Sequence, residues 1–143
     1  MMGVSTLQKV LHVALSSMQA QSQRLLVVAQ NLANAGTRAS TPGAMPYQRK
    51  TVAFGTELDR KKGVEVVKVK KIGRDHTPFP TTYSPGDPGA DENGYVLETN
   101  VKSSVEMTDA MEAKRGYEAS LKAYEKALSM QQDAISLLRG GRA

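Results

Sequence analysis

The sequence predicts a mainly α-helical protein with a small β insert. Long N- and C-terminal helices are expected to pack antiparallel as a coiled coil around a central β-rich, irregular segment. Two observations predict the helices, since apolar residues recur every seven positions near both ends of the chain and no Pro precedes Pro42. Between these regions Pro, Gly and Thr increase and the helical period disappears. The predicted domains are therefore 1–36 with 103–143, and 37–102.

The N-terminal helix is predicted over residues 4–35. All but one of the positions in two rows with seven-residue spacing are apolar, the exception being Gln21. These rows are Val4, Leu11, Met18, Leu25 and Leu32, and Leu7, Ala14, Gln21, Val28 and Ala35. Ser5 and Gln8 have the spacing of a capping box, and Gly36 is a suitable C-terminal stop.

The other faces of this helix are uncharged. Residues 1–35 contain Lys9 and Arg24 but no acidic residue, and Gln and Ser occupy the flanks where an exposed coiled coil carries Glu and Lys. Uncharged polar groups can form hydrogen bonds in a desolvated setting, where an unpaired charge is costly. This pattern favours a helix with several neighbours, and the alternative is a helix partly in water.

The central segment is predicted to contain short strands. Alternating apolar residues indicate a strand over 47–58, and valines indicate a second strand over 63–72, so the two would form a hairpin across Asp59–Gly63. Asn93-Gly94 is a tight-turn signal that precedes the apolar run Tyr95–Leu97.

The second long helix is predicted over residues 103–139. Two further rows are apolar or Tyr except for Lys114 and Gln131. They are Met107, Lys114, Leu121, Leu128 and Ile135, and Ala110, Tyr117, Tyr124, Gln131 and Leu138. Ser103 and Glu106 have capping-box spacing, and Gly116 favours a close approach of another backbone. Because two helices alone cannot cover these rows and the uncharged flanks, the pattern predicts an assembly with copies or relatives.

No pattern of catalytic or metal-binding residues is found. The chain has no Cys, and neither His12 nor His76 has a metal-ligand partner at helical spacing. The glycines are isolated and form no phosphate-binding loop. The prediction is therefore a protein that is not an enzyme and has no cofactor and no metal. The apolar run 10–15 is too short for a secretory signal, and no stretch could span a bilayer.

Several sequence segments resemble a known family. Asn31-Leu32-Ala33-Asn34-Ala35-Gly36-Thr37 resembles the NLANA-x-T signature of bacterial flagellar rod and hook axial proteins. The other segments match the proximal-rod C branch of that family, in the same order along the chain. They are Tyr47-Gln48-Arg49-Lys50, Tyr83-Ser84-Pro85-Gly86-Asp87-Pro88 with Gly94-Tyr95-Val96, and Glu106-Met107 with Arg115-Gly116-Tyr117-Glu118-Ala119-Ser120.

The chain departs from the family pattern at two places. Thr99-Asn100-Val101 stands where the family has Pro-Asn-Val, and this change is expected to loosen the entry to the last helix. Ser120 stands where the family has Asn, and this change is expected to remove one amide contact.

The resemblance implies a structural subunit of the proximal rod. Such a subunit assembles in a helical tube that transmits torque from the membrane motor ring to the distal rod and hook. It is exported by the flagellar type III apparatus without a cleaved signal peptide and lies in the periplasmic part of the basal body. The implied partners are other rod proteins, copies of itself, the motor ring and the export apparatus, with no nucleic acid and no membrane span.

The resemblance also implies that the terminal helices pack side by side in the inner tube, with Asn31 and Asn34 linking helix ends through their amides. The candidate subunit-interface residues are Leu11, Met18, Leu25, Val28, Asn31, Leu32, Asn34, Tyr117, Leu121, Tyr124, Leu128 and Ile135.

Two other classes of function are alternatives. A cytoplasmic coiled-coil adaptor, with the β insert as its docking surface, would explain the two helices but not the missing acidic residues or the matching segments. A nucleic-acid-binding protein would depend on the net charge of +5 alone, since the basic runs 60–62 and 68–71 contain no aromatic residue.

Overall fold

A computed structural model of the chain describes residues 2–141. Its elements follow the order α1 (Met2–Ala33), β1 (Lys50–Asp59), β2 (Val64–Arg74), β3 (Thr81–Tyr83), β4 (Tyr95–Leu97) and α2 (Ser103–Gly140). The predicted pair of long helices with a small antiparallel β region between them is therefore confirmed. Neither helix, over the described residues, has an apolar stretch long enough to cross a lipid bilayer.

The first two strands form the predicted hairpin, and its turn is built from Asp59 and Gly63. The Gly63 N–H donates to the Asp59 carbonyl oxygen at 2.7 Å, and Gly63 has a φ of +64°, a conformation that Gly adopts without steric cost. The Asp59 carboxylate accepts from the backbone N–H of Lys61 at 3.0 Å. Local hydrogen bonds thus set the length of the connection and the pairing of β1 with β2.

The third and fourth strands pair antiparallel over three residues. Thr82 lies opposite Val96, which is completely buried, and Tyr83 lies opposite Tyr95. The two tyrosine rings meet edge to face, with centroids 5.4 Å apart. Gly94 has a φ of +83°, so the predicted Asn93-Gly94 turn has the backbone conformation for which Gly is suited.

The chain divides into two compact units. The first comprises Met1–Gln23, Phe54–Lys70 and Glu112–Ala143, and the second comprises Arg24–Ala53 and Lys71–Met111. The buried apolar residues of the second unit come from α1, β4 and the adjoining loops, and they are Val27, Val28, Ala39, Val96 and Val101. Gly89 packs directly against the backbone of Ala39 in this unit, which leaves no space for a side chain.

The core of the first unit consists mainly of alanine. Its buried apolar residues are Ala14, Ala20, Val66, Ala113 and Ala127. Ser120 on α2 donates a hydrogen bond to the Ser17 hydroxyl on α1 at 2.9 Å. A Cβ on Gly116 would lie 2.7 Å from the Gln21 side-chain nitrogen, so this glycine makes room for a side chain of α1 and not for the backbone that was predicted. Since Ser17 meets Ser120 and Gln21 meets Gly116, the helices run in opposite directions within this unit.

Candidate functional site: a buried polar cluster and exposed helix faces

Asn31 is the centre of a buried polar cluster in the second unit. Its side chain is 1% exposed, and all of its hydrogen-bonding capacity is used. The amide nitrogen donates to the carbonyl oxygen of Lys50 at 2.9 Å and to the carboxylate of Glu106 at 3.0 Å. The amide oxygen accepts from the backbone N–H of Lys50 at 3.0 Å and from the Tyr47 hydroxyl at 2.8 Å. Asn31 therefore joins α1, the start of β1 and α2.

Glu106 and Arg49 form the charged part of the cluster. Glu106 is completely buried and accepts from the Arg49 side chain as well as from Asn31. Arg49 also donates to Asp109 at 3.0 Å and lies 3.4 Å from Asp75. Because both oxygens of Glu106 have partners from other elements, its side chain is not used in the capping box predicted with Ser103. A buried carboxylate without such partners would be strongly destabilising.

Three residues of the cluster, Tyr47, Arg49 and Asp75, have a shifted pKa. Burial favours the neutral form of Arg49, but the hydrogen bond and charge of Glu106 outweigh it, so the pKa of Arg49 lies above its ordinary value. The pKa of Tyr47 is raised mainly by burial. The pKa of Asp75 is lowered by hydrogen bonds from Thr77 and then by the Arg49 charge. Arg49 is thus firmly cationic, and Asp75 is stabilised as a carboxylate.

The segment before α2 is held by side-chain hydrogen bonds. The Thr99 hydroxyl donates to the Tyr47 carbonyl oxygen at 2.6 Å, and the Asn100 amide oxygen accepts from the Arg49 N–H at 2.7 Å. The Thr99 hydroxyl thus supplies a bond that Pro could not, while the expectation that Thr99 loosens the entry to the last helix stays a prediction. Ser120, the other departure from the family pattern, makes the hydrogen bond to Ser17.

The predicted subunit-interface residues differ in exposure. Val28 and Asn31 are buried within the second unit, and Asn34 donates to the carbonyl oxygen of Gln30 at 2.9 Å. Leu128 and Ile135 on α2 are 37% and 40% exposed. The remaining candidates are half-buried, and they are Leu11, Met18, Leu25, Leu32, Tyr117, Leu121 and Tyr124. The interface assignment itself stays a prediction.

Large apolar side chains are exposed on both helices. On α2 they continue to the C-terminal end, where Leu137 and Leu138 are 78% and 70% exposed. The others on α2 are Val105, Met107, Met111, Leu128, Met130 and Ile135, and those on α1 are Val10, Leu15 and Leu26. Exposed rows of this kind are typical of surfaces that another chain covers.

Of the two histidines, His12 lies on α1 and contacts the turn of the β1–β2 hairpin. His12 contacts Asp59 through Nε2 at 3.0 Å and Lys62 through Nδ1 at 3.1 Å. Within the described part of the chain, no three His, Cys, Asp or Glu side chains come close enough together to hold a metal ion.

Comparison with known proteins identifies the family. A family of flagella basal body rod proteins matches residues 11–44, and the C-terminal family of flagellar basal body rod FlgEFG proteins matches residues 92–137. The flagellar basal-body rod protein FlgC of Agrobacterium fabrum is 46% identical over 130 residues, which are 91% of this chain and 94% of that protein. The chain belongs to the FlgC family of flagellar basal-body rod proteins. The FlgC protein of Salmonella typhimurium is 36% identical over 131 residues, which are 92% of this chain and 97% of that protein.

The family relationship confirms the resemblance inferred from the motifs. It also confirms the prediction that the chain is a structural flagellar rod protein and not an enzyme. Asn31 belongs to the first matching segment and Arg49 to the second, and both donate hydrogen bonds to Glu106 near the start of α2. The sequence analysis did not predict this contact, although all three residues lie within the segments that carried the resemblance.

Proposed function

We propose that this FlgC-family chain is a subunit of the proximal rod and assembles in a helical tube. The tube would transmit torque from the membrane motor ring to the distal rod and hook. The observation that carries this proposal is the relationship to FlgC proteins over nine-tenths of the chain. The cytoplasmic adaptor is not favoured, because these relatives are basal-body rod proteins.

The terminal helices supply the assembly surface in this proposal. Residues 1–36 and 103–143 would form the inner-tube domain, in which helices of neighbouring subunits pack side by side as coiled coils, and 37–102 would form the insert. The exposed apolar residues of α2, with Leu128 and Ile135 among them, support this role because an isolated subunit leaves them in water. The half-buried Leu25 and Leu32 on α1 are further contacts of the proposed interface.

The buried polar cluster suits a subunit that carries mechanical load. It joins α1, β1 and α2 through directional bonds to Asn31 and Arg49. Such bonds fix one arrangement of the elements and resist sliding more than an apolar contact does, because a displaced buried charge loses its partner. We expect the load to pass through this cluster between the helices and the insert.

Export and location follow from the same proposal. The subunit would leave the cytoplasm through the flagellar type III apparatus without a cleaved signal peptide and would occupy the periplasmic part of the basal body. Its partners would be copies of itself, other rod proteins, the motor ring and the export apparatus.

Electron microscopy of basal bodies tests the proposal. Cells lacking this chain should have membrane rings without a rod beyond them, and the gene should restore the rod.

A second test separates assembly from export, since Leu32→Asp should block rod assembly while the protein still leaves the cytoplasm. Intact rods and hooks in the deletion strain would contradict the proposed function, and normal motility of the Leu32→Asp strain would contradict the interface.

A further inference from the structure

An open groove of about 780 Å³ lies in the first unit beside the turn of the β1–β2 hairpin. Its basic wall is formed by Lys9 on α1 and by Arg60, Lys61 and Lys62 in the turn. Leu11, Leu15 and Tyr124 line another part of the groove, together with the polar side chains of Ser5, Gln8 and His12. The groove therefore combines positive charge with a partly apolar floor.

The hairpin turn is attached to α1 by His12. The Lys62 ammonium can only donate, so His12 Nδ1 accepts its hydrogen bond at 3.1 Å. The proton of the neutral ring then lies on Nε2, which donates to the Asp59 carboxylate at 3.0 Å. These two bonds attach the turn that carries Arg60 and Lys61 to α1.

Three of the basic side chains have no internal partner. Among residues 5–141, whose side chains the structure describes, Lys9, Arg60 and Lys61 make no side-chain hydrogen bond or ion pair. The one carboxylate at the turn, Asp59, is occupied by His12 and by backbone N–H groups. The groove is therefore a site for negative charge that this chain does not fill.

The second unit carries a matching acidic turn. Asp91 closes it by accepting from the N–H groups of Asn93 and Tyr95, both at 2.9 Å, and Gly94 supplies the positive φ. Glu92 lies at the exposed tip and has no hydrogen-bond or ion-pair partner among the residues whose side chains are described. The hydrogen bonds to Asp91 order the turn, while the Glu92 carboxylate at its tip stays unpaired among the described side chains.

The two charges are segregated along the sequence. Residues 60–70, which belong to the first unit, contain five Lys or Arg and one acidic residue, Glu65. Residues 77–101, in the second unit, contain four acidic residues and no Lys or Arg. Two of these four, Asp87 and Glu98, pair with Arg38, and Asp91 bonds its own turn. Among the described side chains, the first unit thus presents unpaired cations beside the groove, and the second unit presents the unpaired carboxylate of Glu92.

We propose that the groove of one copy binds the acidic turn of a second copy, with Glu92 of that copy between Arg60 and Lys61. The contact joins two different surfaces of the same chain, so it can repeat without closing and generate a helical array. The inference rests on the proposed rod function and adds to it a contact outside the terminal helices. An acidic segment of another protein is the competing occupant.

Crosslinking in isolated rods tests the contact. The chain has no Cys, so Lys61→Cys combined with Glu92→Cys introduces the only two thiols. A short bismaleimide should then give a ladder of multimers on an immunoblot for this chain. Each single-cysteine variant should give no ladder, and cells that express both single variants together should give dimers. Lys68→Cys with Glu92→Cys is the matched control, because Lys68 is exposed but paired with Glu57 at 2.9 Å, and it should stay monomeric.

Charge reversal tests whether the two surfaces recognise each other. Lys61→Glu and Glu92→Lys should each reduce the number of rods per cell about tenfold or more, since a like charge at an interface costs several kcal/mol. The double variant should restore most of the rods. Thermal unfolding of the purified chains should show no shift, because neither side chain has a hydrogen-bond or ion-pair partner among the residues whose side chains are described.

These outcomes separate the contact from the proposed function. Rods that contain the double-cysteine chain but give no species above the monomer would overturn the contact and leave the rod function intact. Loss of rods with Lys61→Glu but not with Glu92→Lys would assign the groove to another acidic protein and overturn the proposal. Loss of rods in both single variants without recovery of rods in the double variant would also overturn it. Absence of the unmodified chain from isolated rods would instead contradict the proposed function.

Discussion

Arg49→Met is the most informative single substitution for the internal structure. The Arg49 side chain is 16% exposed and contacts three carboxylates, those of Glu106, Asp109 and Asp75. Met keeps much of the aliphatic volume but removes the charge and all the hydrogen-bond donors. Glu106, which is completely buried, would then retain only the Asn31 amide as a partner.

The expected loss of stability follows from the unpaired carboxylate. Removing one partner of a buried ion pair typically costs about 3–5 kcal/mol, most of it from the charge left behind. A chain of this size changes its melting temperature by roughly 2–4 °C per kcal/mol, so we expect Tm to fall by about 6–20 °C. Stabilities of small proteins lie near 5–15 kcal/mol, so the loss is a large part of the total.

The assay is thermal and urea unfolding of the full chain at pH 7, followed by circular dichroism. Lys68→Met is the matched control, because it removes a cation from the ion pair with Glu57 in which both side chains are more than half exposed. Such surface pairs contribute about 0–1 kcal/mol. The double variant Arg49→Met with Glu106→Met should lose much less free energy of unfolding than the sum of the losses in the two single variants, because the residues share one interaction.

Two results would refute this reasoning. One is a loss of stability for Arg49→Met no larger than that for Lys68→Met, which would mean that water or rearrangement satisfies Glu106. The other is additivity of Arg49→Met and Glu106→Met, which would mean that the two side chains do not act as a pair.

Three further predictions test the interface, the packing and the pH dependence. Leu128→Asp should reduce rod assembly by about tenfold or more, as expected for a central interface contact. The control Ile72→Asp, at an exposed apolar position in the insert, should assemble normally. Equal numbers of rods per cell for the two variants in electron microscopy would contradict this prediction. Gly89→Ala should lower stability by about 1–3 kcal/mol in urea unfolding, because its Cβ would collide with a backbone carbonyl, whereas Gly86→Ala, with open space around it, should be nearly neutral. The pKa of Asp75 is lowered in the folded state, so its stabilising effect is complete above the unfolded pKa of about 4 and is lost as pH falls through the lowered folded pKa. Asp75→Asn should therefore lower Tm at pH 7 and approach the unmodified chain at acid pH; a constant difference from pH 7 to 2 would contradict the assignment.

The elements could be predicted from the sequence because their signals are local. Both helices have a seven-residue apolar repeat over four heptads, and the repeat of α2 is long enough to outweigh the interior Gly116. The hairpin could be predicted because an alternating run with Val52, Phe54 and Leu58 and a second run rich in Val flank Asp59–Gly63. The bonds of this turn form within five residues. The short pairing of β3 with β4 was signalled only by Asn93-Gly94 and the following apolar run.

The buried polar cluster could not be predicted, because its partners are far apart in sequence. Asn31 and Glu106 are separated by 75 positions, and Arg49 and Asp109 by 60. No periodicity indicates which acidic residue of α2 an arginine in the insert will meet. Glu106 also had a local interpretation as a capping residue. The partly buried Arg49 outweighed it, since a carboxylate that meets a guanidinium gains more than one that meets a backbone N–H.

The difference between the predicted and observed helix contacts bears directly on assembly. In the first unit, α2 buries Ala113 and Ala127, each one position before Lys114 and Leu128 in the predicted row. Small side chains allow the helices to approach closely, so a row of Ala, Ser and Gly serves the contact within the chain. Leu128, Ile135 and Leu138 then stay exposed. An apolar repeat that the fold itself does not bury is costly in water unless another chain covers it. This arrangement supports the proposal that the large apolar residues of the helix serve contacts between subunits.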